Sequence, residues 1–488
     1  MAIVTEAQVI KVLQQLNPWW RNPAEIKPRS KPRKRVAYYE AIKTVEHKTI
    51  RRFAVLSGAR RVGKTTILYQ MIDKIIADGI NPRNILYVSF DNPIIKLINA
   101  DELISIYETL HPITGERYVF FDEIQYTNDW ELWMKVIYDI RSDVRLAATG
   151  SASPVLEKGA SDSGTGRWRV LKVPTMSFYE YCELLSVPDL PEIPAGLRIT
   201  GLSSLSEGEL ADLMNRFSPM RQHFNRYMTI GGFPELALSG EDVYARRILR
   251  EDVVDKVIKR DVLSLFNVRN PLSMEKLFIY LCMNSSGIFN KQTAASALEN
   301  ISVSTIEDYI RFLEMSNLIY CSAPIKVGGK ASLKGKPKIY IADAAIRNAV
   351  LMIEDVLSDE AEMGIMAETL VYKHIVAFFQ NNASAHIGYY RNAKDNQKEV
   401  DIVIELPKEK ILCEVKYRND SAVPETDAIV ALSNEEKTNV SHAFVLSKSL
   451  AHYGISRHET KVPIFRIPVL PFVYMLGKAE AEGRGGKI

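Results

Sequence analysis

Short apolar runs recur between residues 53 and 173, and segments with helical spacing separate them. Such runs are typical of strands that are buried on both faces of a parallel sheet. The predicted strands are residues 53–56, 84–90, 118–121, 144–151 and 169–173. After the first strand, apolar residues at 67, 68, 71, 72, 75 and 76 follow the period of a helix. The pattern predicts an α/β fold built on a doubly wound parallel sheet.

The turn after the first predicted strand carries a phosphate-binding pattern. Residues 58–65, GARRVGKT, match GxxxxGK[ST], in which glycines let successive backbone N–H groups point toward bound phosphates. The helix that follows adds the positive end of its dipole. We expect Lys64 to reach the β and γ phosphates of ATP and the Thr65 hydroxyl to bind Mg²⁺. The predicted nucleotide-binding residues are Gly58, Ala59, Arg60, Arg61, Val62, Gly63, Lys64, Thr65 and Thr66.

Polar residues end the next core strands. Asp122 and Glu123 follow the run 118–121, and Ser151 ends the run 144–151. In open parallel sheets, ligands bind at the carboxyl ends of the strands. We expect Asp122 to hold the water shell of Mg²⁺ and Glu123 to orient and deprotonate the attacking water. Ser151 is predicted to sense the γ-phosphate.

The middle of the chain has helical spacing over residues 205–280, which predicts a lid without chemistry of its own. Residues 290–299 then predict a helix, and Ser304 with Glu307 predicts a capping box that opens a second helix. This spacing is typical of a helix-turn-helix, and the lysine-rich tract 326–338 would be the wing of a winged helix. Winged helices bind proteins as well as DNA, and Asp308 is unfavourable near phosphate. The predicted DNA contacts are Thr305, Arg311, Lys326, Lys330, Lys334, Lys336 and Lys338.

Residues 398–416, KEVDIVIELPKEKILCEVK, predict a hairpin near the carboxyl end. A turn between Lys408 and Glu409 places residue 401 opposite residue 416. Because side chains repeat every second residue, Asp401, Glu414 and Lys416 are expected on one face. Two carboxylates with a backbone oxygen between them are suited to Mg²⁺, and the lysine to stabilising a hydroxide that attacks a phosphodiester. The predicted metal ligands of the chain are Thr65, Asp122, Asp401 and Glu414.

A set of motifs resembles the archaeal and bacterial AAA+ ATPases of the STAND-related group. These motifs are GARRVGKTT, FFDEIQY, ATGSA, GR before a strand, PTMSFYEYC and YMTIGGFPEL. The resemblance implies a homo-oligomeric ring, such as a hexamer, in which an arginine before the last core strand completes a neighbour's site. Arg167 is the best match for that arginine, and Arg169 is the second choice. Gly232 and Pro234 match the group's loop against the nucleotide base.

The carboxyl-terminal hairpin resembles the PD-(D/E)XK nuclease pattern, with Asp401 as the first acid and Glu414-Val415-Lys416 as the E-x-K element. The resemblance implies a further acid on the preceding helix, and Glu368 in AETLVYKHIVAFF fits that position. Many domains with this fold bind DNA without cutting it, so Mg²⁺-dependent cleavage stays open. Junction resolvases share the fold, which extends the expectation to branched DNA by analogy.

Length and composition indicate how many domains the chain has and in which surroundings it folds. At 488 residues the chain is too long for one core, and five segments are predicted: 1–50 (helix and basic linker), 51–180 (AAA+ core), 181–265 (lid), 266–343 (winged helix) and 344–488 (nuclease-like α/β domain). No segment approaches the roughly 18 apolar residues of a membrane helix. Four widely spaced cysteines favour a reducing cytoplasm over a zinc site or disulfides.

The leading hypothesis is an ATP-hydrolysing AAA+ protein that acts on DNA. Its net charge of +3 does not decide the partner, because nucleic-acid contacts depend on local clusters such as KPRSKPRKR and the tract 326–338. A STAND-type switch is the alternative, with the carboxyl-terminal domain as effector or protein-binding module. A protein-remodelling ATPase is a third hypothesis, although no substrate pore motif is evident.

Overall fold

The structure is a computed structural model. It describes residues 4–112, 114–127, 129–150, 166–262, 268, 270–298, 301–326, 335–392, 398–420, 422–486 and 488. The chain divides into two compact units. The first comprises Met1–Pro174 with Met315–Asn317, and the second comprises Thr175–Glu314 with Leu318–Ile488. None of the described helices has the length and hydropathy needed to cross a membrane.

Within its described residues, the first unit contains a five-stranded parallel sheet in the order β2-β3-β4-β1-β5. Its strands are β1 (Phe53–Ser57), β2 (Ile85–Ser89), β3 (Arg117–Asp122), β4 (Val144–Gly150) and β5 (Trp168–Lys172). Each lies on a predicted strand, so these predictions are confirmed. The reason is visible in β1, whose five residues are all buried. An apolar run with no polar alternation folds as a strand that is covered on both faces.

Helices flank this sheet and cover one of its edges. They are α1 (Glu6–Leu16), α2 (Lys27–Ser30), α3 (Val36–Val45), α4 (Lys64–Ala77), α5 (Ala100–Leu110) and α6 (Trp130–Ile140). Strand β2 is an edge strand, and the Asn17 side chain makes two hydrogen bonds with the backbone of Tyr87, at 2.8 and 2.6 Å. The indole N–H groups of buried Trp19 and Trp20 donate to the Ile85 carbonyl. The amino-terminal segment therefore satisfies backbone groups that an edge strand would otherwise expose.

The basic segment, residues 27–35, packs along α4. The Gln70 side chain donates to the carbonyls of Lys31 and Arg33, and Lys27 pairs with Asp73 at 2.8 Å. Arg35 donates to the carbonyl of Val62 in the phosphate-binding loop at 2.9 Å. In the first unit this segment thus supports the loop and its helix.

The second unit contains an eight-stranded sheet in the order β12-β13-β11-β10-β9-β8-β6-β7 across its described residues. Its strands are β6 (Ile319–Pro324), β7 (Lys338–Ile341), β8 (His386–Arg391), β9 (Glu399–Glu405), β10 (Lys410–Lys416), β11 (Val440–Ser447), β12 (Gly454–Ile455) and β13 (Ile464–Pro468). Strand β6 pairs with β7 and, in parallel, with β8. The two strands that flank the lysine-rich tract therefore belong to the same sheet as the carboxyl-terminal hairpin.

The helices of the second unit lie before the sheet and between and after its strands along the chain. They are α7 (Phe178–Leu184), α8 (Glu207–Asn215), α9 (Arg221–Ile230), α10 (Pro234–Ser239), α11 (Asp242–Arg250), a π-helix (Glu251–Val262), α12 (Pro271–Met283), α13 (Lys291–Ala297), α14 (Val303–Met315), α15 (Ala344–Leu351), α16 (Glu360–Phe379), α17 (Ala428–Asn434) and α18 (Val469–Ala481). Helical structure before the sheet confirms the helical pattern read over residues 205–280.

The predicted capping box at Ser304 and Glu307 is wrong. Helix α14 begins earlier, at Val303, and the Ser302 hydroxyl accepts a hydrogen bond from the Thr305 N–H at 3.1 Å. Ser302 is therefore the residue that caps the helix. Glu307 is instead an ion-pair partner of Lys291. Two serines within three residues both fit the sequence rule, and the chain uses the first.

The predicted hairpin exists, but its register differs by two residues from the prediction. Leu406 and Glu409 bond to each other across a turn centred on Pro407 and Lys408, and Cys413 pairs with Ile402. Proline fixes the backbone angle that the first central position of a common turn requires, which explains the position of the turn. Asp401 therefore lies beside Glu414 rather than opposite residue 416. Because side chains alternate with a period of two, this shift leaves the predicted set on one face.

A buried ion pair ties several segments of the second unit together. The Lys373 ammonium, on α16, donates to Asp343 at 2.6 Å and to the Thr175 hydroxyl at 2.9 Å. Asp343 also accepts from the Gly232 N–H at 3.2 Å. A Cβ on Gly231 would lie 2.3 Å from an Asp343 carboxylate oxygen, so the glycine is required for this approach. Burial opposes the charge of Asp343, but Lys373 lowers its pKa below the usual range.

Lys373→Met is expected to destabilise the second unit by about 3 to 5 kcal/mol, because it leaves a buried carboxylate without its counter-charge. The measurement is urea unfolding, followed by hydrogen exchange of peptides that cover residues 338–379. Lys461→Met is the control, since its ion pair with Glu436 is exposed and such pairs contribute about 0 to 1 kcal/mol. Equal losses in the two variants would contradict the role of this ion pair.

Candidate nucleotide site and carboxylate cluster

The phosphate-binding loop joins β1 to α4, as predicted. Gly58 has no room for a side chain, because a Cβ there would lie 2.2 Å from the Val173 carbonyl oxygen. Gly63 precedes the helix with a φ of 96°, a conformation that favours glycine. The Lys64 ammonium is buried and donates to the carbonyls of Gly58 and Ala59, at 2.8 and 2.9 Å. The Lys64 side chain thus bonds to the backbone of its own loop, and it must change conformation to reach a phosphate.

Asp122 lies at the carboxyl end of β3 and is surrounded by hydroxyl groups. It accepts from Thr65 at 2.9 Å, from Tyr87 at 2.8 Å and from Thr149 at 2.5 Å. Burial, followed by the nearby Glu123, raises the pKa of the Asp122 carboxyl above its usual value. The three hydroxyl donors counter that effect by stabilising the ionised form. The site therefore fixes the position of a buried carboxylate next to the loop threonine.

Glu123 is the first residue after β3 and differs from its neighbour in exposure. It is partly exposed, while Asp122 is buried. Its backbone lies in the left-handed region with a φ of 53°, and its N–H donates to the Thr149 hydroxyl at 2.9 Å. Its carboxylate accepts a hydrogen bond from the Gln125 side chain. The two adjacent acids therefore have different surroundings: Asp122 lies among buried hydroxyls, and Glu123 is partly exposed to water.

Thr65 and Asp122 fit a nucleotide-bound Mg²⁺. Their side chains are in hydrogen-bond contact, both ligand types are oxygens, and both lie beside the loop where phosphates bind. When bound, this ion would supply positive charge to the phosphate oxygens. The chain's own part is to hold the hydroxyl and the carboxylate in place.

Arg167 and Arg169 lie at the other end of the sheet from the phosphate-binding loop. The Arg167 carbonyl accepts from the N–H of Phe53, the first residue of β1, whereas the loop begins after Ser57, its last residue. At about 3.3 Å per residue, a strand of this length separates them by roughly 15 Å. Arg167 forms an ion pair with Asp139 at 2.9 Å, and Arg169 forms one with Glu40 at 2.9 Å.

Three residues predicted at the nucleotide site lie in the second unit or outside the described residues. Gly232 and Pro234 belong to the second unit, where a Cβ on Gly232 would lie 2.4 Å from the Met176 carbonyl oxygen. This glycine therefore serves close backbone packing within the second unit, and its contact with a nucleotide base stays a prediction. Ser151 lies outside the described residues.

The carboxyl-terminal hairpin carries a cluster of buried and partly buried charges. Glu368 on α16, Glu399 and Asp401 on β9, and Glu414 and Lys416 on β10 meet there with Lys338 and Tyr340 on β7. The Lys338 ammonium lies 3.1 Å from Glu368, 2.5 Å from Glu399 and 3.2 Å from Asp401. Lys416 pairs with Glu414 at 2.8 Å. We call these seven residues the carboxylate cluster.

The position of Lys338 corrects its assignment as a DNA contact on the wing. Its side chain is only 3% exposed, and it is paired with three carboxylates. Burial opposes its charge, but Glu368, Asp401 and Glu399 raise the pKa of Lys338 well above the usual range. The lysine is charged and inside the second unit, so it is not available to a phosphate on the surface.

The acids of the cluster have shifted pKa values. Burial, together with Asp401, raises the pKa of Glu368 to about 7 and that of Glu414 to about 8. Lys338 lowers the former, and Lys416 lowers the latter, without removing the shift. Four carboxyl groups with two ammonium partners carry excess negative charge, and protonation of two carboxyls removes it.

Both oxygens of Asp401 and of Glu414, the two predicted metal ligands of the hairpin, already have partners within the chain, so these residues do not fit a divalent metal as they stand. Asp401 accepts from Lys338 with one oxygen and from the Val415 N–H, at 2.9 Å, with the other. Glu414 accepts from Lys416 with one oxygen and from the Asp401 N–H, at 3.4 Å, with the other. In the described part of the chain, no group of three or more acidic, histidine or cysteine residues is arranged to hold a metal ion.

The predicted DNA-binding residues have varied surroundings. Arg311 is exposed on α14 but pairs with Asp308 at 2.7 Å. The Thr305 hydroxyl bonds to Ser302 at 2.8 Å. Lys326 and Lys336 are exposed at the two ends of the lysine-rich tract. Lys330 and Lys334 lie outside the described residues.

Sequence reasoning missed several members of these sites. Lys338 and Tyr340 are two residues apart on β7, as Glu399 and Asp401 are on β9, so each pair shares a strand face. The alternation in KIYI was the available signal, with isoleucines on the opposite face. The hydroxyls of Tyr87 and Thr149 gave no signal, because only the folded sheet brings their strands beside β3.

Residues 51–182 match the family model of an AAA domain. The first unit contains an AAA+ P-loop ATPase core. This confirms the α/β fold that the phosphate-binding loop and the apolar runs predicted, and the AAA+ core that the family resemblance implied. In the second unit, residues 221–357 and 363–467 match two domains of unknown function, DUF8612 and DUF4143.

Related proteins resemble the chain beyond the AAA+ core. An uncharacterized protein of Haemophilus influenzae is 22% identical over 391 residues, which are 78% of this chain and 87% of that protein. The uncharacterized protein MJ1637 of Methanocaldococcus jannaschii is 24% identical over 411 residues, 82% of this chain and 81% of that protein. MJ1544 of the same organism is 26% identical over 270 residues, about half of each chain (54% and 55%).

Two solved structures align with parts of the chain at low similarity. The Aeropyrum pernix ORC1 protein in complex with DNA aligns with a TM-score of 0.31 at 13% identity, over 68% of this chain and 92% of that one. The Thermotoga maritima RuvB Holliday junction branch migration motor aligns with a TM-score of 0.25 at 14% identity, over 66% and 90%. These TM-scores are too low to add to the assignment, which rests on the AAA domain match.

The raised pKa values in the cluster predict a pH dependence of stability. Glu368 and Glu414 have an ordinary value of 4.5 and folded values of about 7 and 8, so the folded chain binds their protons more tightly. Their contribution is present below pH 4.5 and is lost as pH rises toward 8. At about 1.4 kcal/mol per pKa unit, the effect is on the order of a few kcal/mol.

The measurement is the urea midpoint of the EDTA-treated chain between pH 5 and 8. Wild type is expected to lose more stability over this range than the double variant Glu368→Gln/Glu414→Gln, which cannot release these protons. Glu436→Gln, an exposed acid, serves as the control. Parallel pH curves for wild type and the double variant would contradict the raised values.

Proposed function

We propose that the AAA+ core hydrolyses ATP as part of a ring of identical chains, and that the second unit binds DNA, including branched DNA. In the nucleotide site, Lys64 would contact the β and γ phosphates, Thr65 and Asp122 would hold the nucleotide's Mg²⁺, and Glu123 would activate the attacking water. The observation that carries this proposal is the difference between the two acids at the end of β3. Asp122 is buried among hydroxyls, and Glu123 is left accessible to water.

The position of Arg167 supports an assembly of several chains. It precedes β5 at the far end of the sheet from its own phosphate-binding loop, roughly 15 Å away by strand length. An arginine side chain cannot span that distance, so Arg167 is unable to complete the site of its own chain. In a ring, the same position faces a neighbour, where its charge would stabilise the transferring phosphoryl group. A hexamer is the assembly that the family resemblance favours.

The DNA proposal rests on the lysine-rich tract and the nuclease-like hairpin. With Lys338 buried, the tract keeps Lys326, Lys330, Lys334 and Lys336 for phosphates. Phosphate contacts need lysines that are free to reach the backbone, and the described members Lys326 and Lys336 are exposed. Branched DNA enters by analogy with nucleases of similar fold. Helix α14 supports the proposal less, because Asp308 neutralises Arg311.

Complementation between variants tests shared ATPase sites. Glu123→Gln is expected to bind ATP but to lose turnover about 100-fold or more, through loss of the base. Arg167→Ala is expected to lose turnover by about 1,000-fold or more, through loss of the neighbour's charge. A mixture of the two contains sites with an intact Glu123 on one chain and an intact Arg167 on the next, so its turnover should exceed that of either variant alone.

Two controls accompany the mixture. Lys64→Ala should fail to bind ATP, and Arg169→Ala, which removes another ion-paired arginine close to Arg167, should retain turnover. Turnover in the mixture equal to the mean of the separate variants would contradict shared sites. Normal turnover in Glu123→Gln would contradict the role of that residue.

Salt dependence tests DNA binding by the tract. The slope of log K against log salt falls by about 0.9 for each phosphate contact removed. Lys326→Ala/Lys336→Ala is therefore expected to lower the slope by about 2 on duplex and four-way DNA alike. Lys461→Ala, an exposed lysine outside the tract, should leave it unchanged. An ATPase that binds no single-stranded, duplex, forked or four-way DNA would contradict the proposal and favour the STAND-type switch.

A further inference from the structure

Lys338 occupies the centre of the carboxylate cluster. Its ammonium lies within 3.2 Å of oxygens on three different carboxylates, contributed by α16 and β9. Its side chain is 3% exposed. An ammonium has three N–H donors, and here each has a carboxylate oxygen within reach. The lysine is therefore fully paired by acids, as a bound cation would be.

The other partners of the cluster complete this arrangement without a metal. Tyr340 donates its hydroxyl to Glu368 at 2.8 Å, and Lys416 pairs with Glu414 at 2.8 Å. Both oxygens of Asp401 are used, one by Lys338 and one by the Val415 N–H. A divalent cation such as Mg²⁺ needs oxygen ligands at about 2.0 to 2.1 Å in octahedral geometry. It cannot approach Asp401 and Glu368 while an ammonium lies between them.

The backbone holds Lys338 in this position. It pairs with Ser322 of β6, and it also forms a bridge with Ile288. Its ammonium lies 5.7 Å from the centre of the Tyr389 ring, a cation–π contact. Removal of the ammonium from the cluster would break three ion pairs and leave partly buried carboxylates without a counter-charge, which is unfavourable.

We propose that Lys338 is the resident cation of the carboxylate cluster and takes the place of a divalent metal. The cluster is then a latent metal site, which wild type keeps closed and which opens when the ammonium is removed. On the proposed function above, the second unit consequently binds DNA without metal-dependent cleavage. The ammonium also explains why the acids Glu368, Asp401 and Glu414 sit together without a metal-binding arrangement.

Manganese titration of the nucleotide-free full chain tests the proposal, with the free Mn²⁺ signal in electron paramagnetic resonance as the readout. Lys338→Met keeps the length of the stem and removes the charge. It is expected to gain about one Mn²⁺ site per chain, at least tenfold tighter than any site in wild type, because carboxylate oxygens become available. The gain should disappear in Lys338→Met/Asp401→Asn. Lys336→Met removes an exposed lysine two residues away and should gain nothing.

Each outcome decides the proposal. A folded Lys338→Met chain that gains no site would overturn it, and so would a wild-type site that is lost in Asp401→Asn. If Lys338→Met does not fold, the comparison of wild type with Asp401→Asn decides: equal Mn²⁺ binding supports the proposal, and weaker binding in Asp401→Asn overturns it. Circular dichroism establishes folding in each case.

A DNA cleavage assay distinguishes failure of this inference from failure of the proposed function. Wild type incubated with Mg²⁺ and four-way DNA is expected to leave the DNA intact. Mg²⁺-dependent cleavage that Asp401→Asn abolishes would overturn the closed site while leaving DNA binding in place. If the chain binds no DNA and the Mn²⁺ results are as expected, the proposed DNA binding is overturned. The proposal that Lys338 takes the place of a metal is then still supported.

Discussion

A carboxylate that is largely removed from water must find donors at hydrogen-bond distance, and this constraint applies in both units of the chain. Asp122 is satisfied by three hydroxyls, Asp343 by Lys373 and backbone N–H groups, and Asp401 by Lys338 and a backbone N–H. The three solutions have different consequences. Hydroxyls neutralise no charge and leave Asp122 able to interact with a cation. An ammonium neutralises the charge and leaves Asp343 and Asp401 with no such capacity.

This difference separates two acidic sites that resemble each other in sequence. The nucleotide site has acids at the end of a strand near a glycine-rich loop, and the carboxylate cluster has acids on strands near a lysine-rich tract. Both sites were predicted to bind Mg²⁺. In the AAA+ core, the partners of Asp122 are uncharged hydroxyls, so its negative charge is not neutralised, and Thr65 and Asp122 are the residues proposed to hold a nucleotide-bound ion. In the second unit, a lysine from the edge of the sheet already fills the corresponding space. The chemistry proposed for the chain is therefore concentrated in the first unit.

Local patterns predicted the elements well, because each depends on its own sequence. The apolar runs became strands, GARRVGKT became the loop between β1 and α4, and the DIVIEL and ILCEVK runs became a hairpin. The period of two placed Asp401, Glu414 and Lys416 on one face even though the register was two residues off. Proline set the turn, a detail that apolar alternation does not contain.

Contacts between distant segments could not be predicted in this way. Lys338 was grouped with the lysines that precede it, since charge along the sequence does not show which side chain a sheet will bury. Asp343 and Lys373 are thirty positions apart on different elements, and only the fold brings them together. Gly232 matched a family loop, whereas in the structure a glycine is required at this position because the backbone packs closely on Met176. In each case the deciding partner lies on a segment distant in sequence.

The most direct measurement is a crystal structure of wild type grown with a non-hydrolysable ATP analogue and Mn²⁺, with anomalous scattering used to locate the metal. The account predicts a manganese peak beside the Thr65 hydroxyl and the nucleotide phosphates, and none at Asp401, where the Lys338 ammonium should remain. A manganese ion bound by Asp401 and Glu414, with Lys338 turned away, would contradict it.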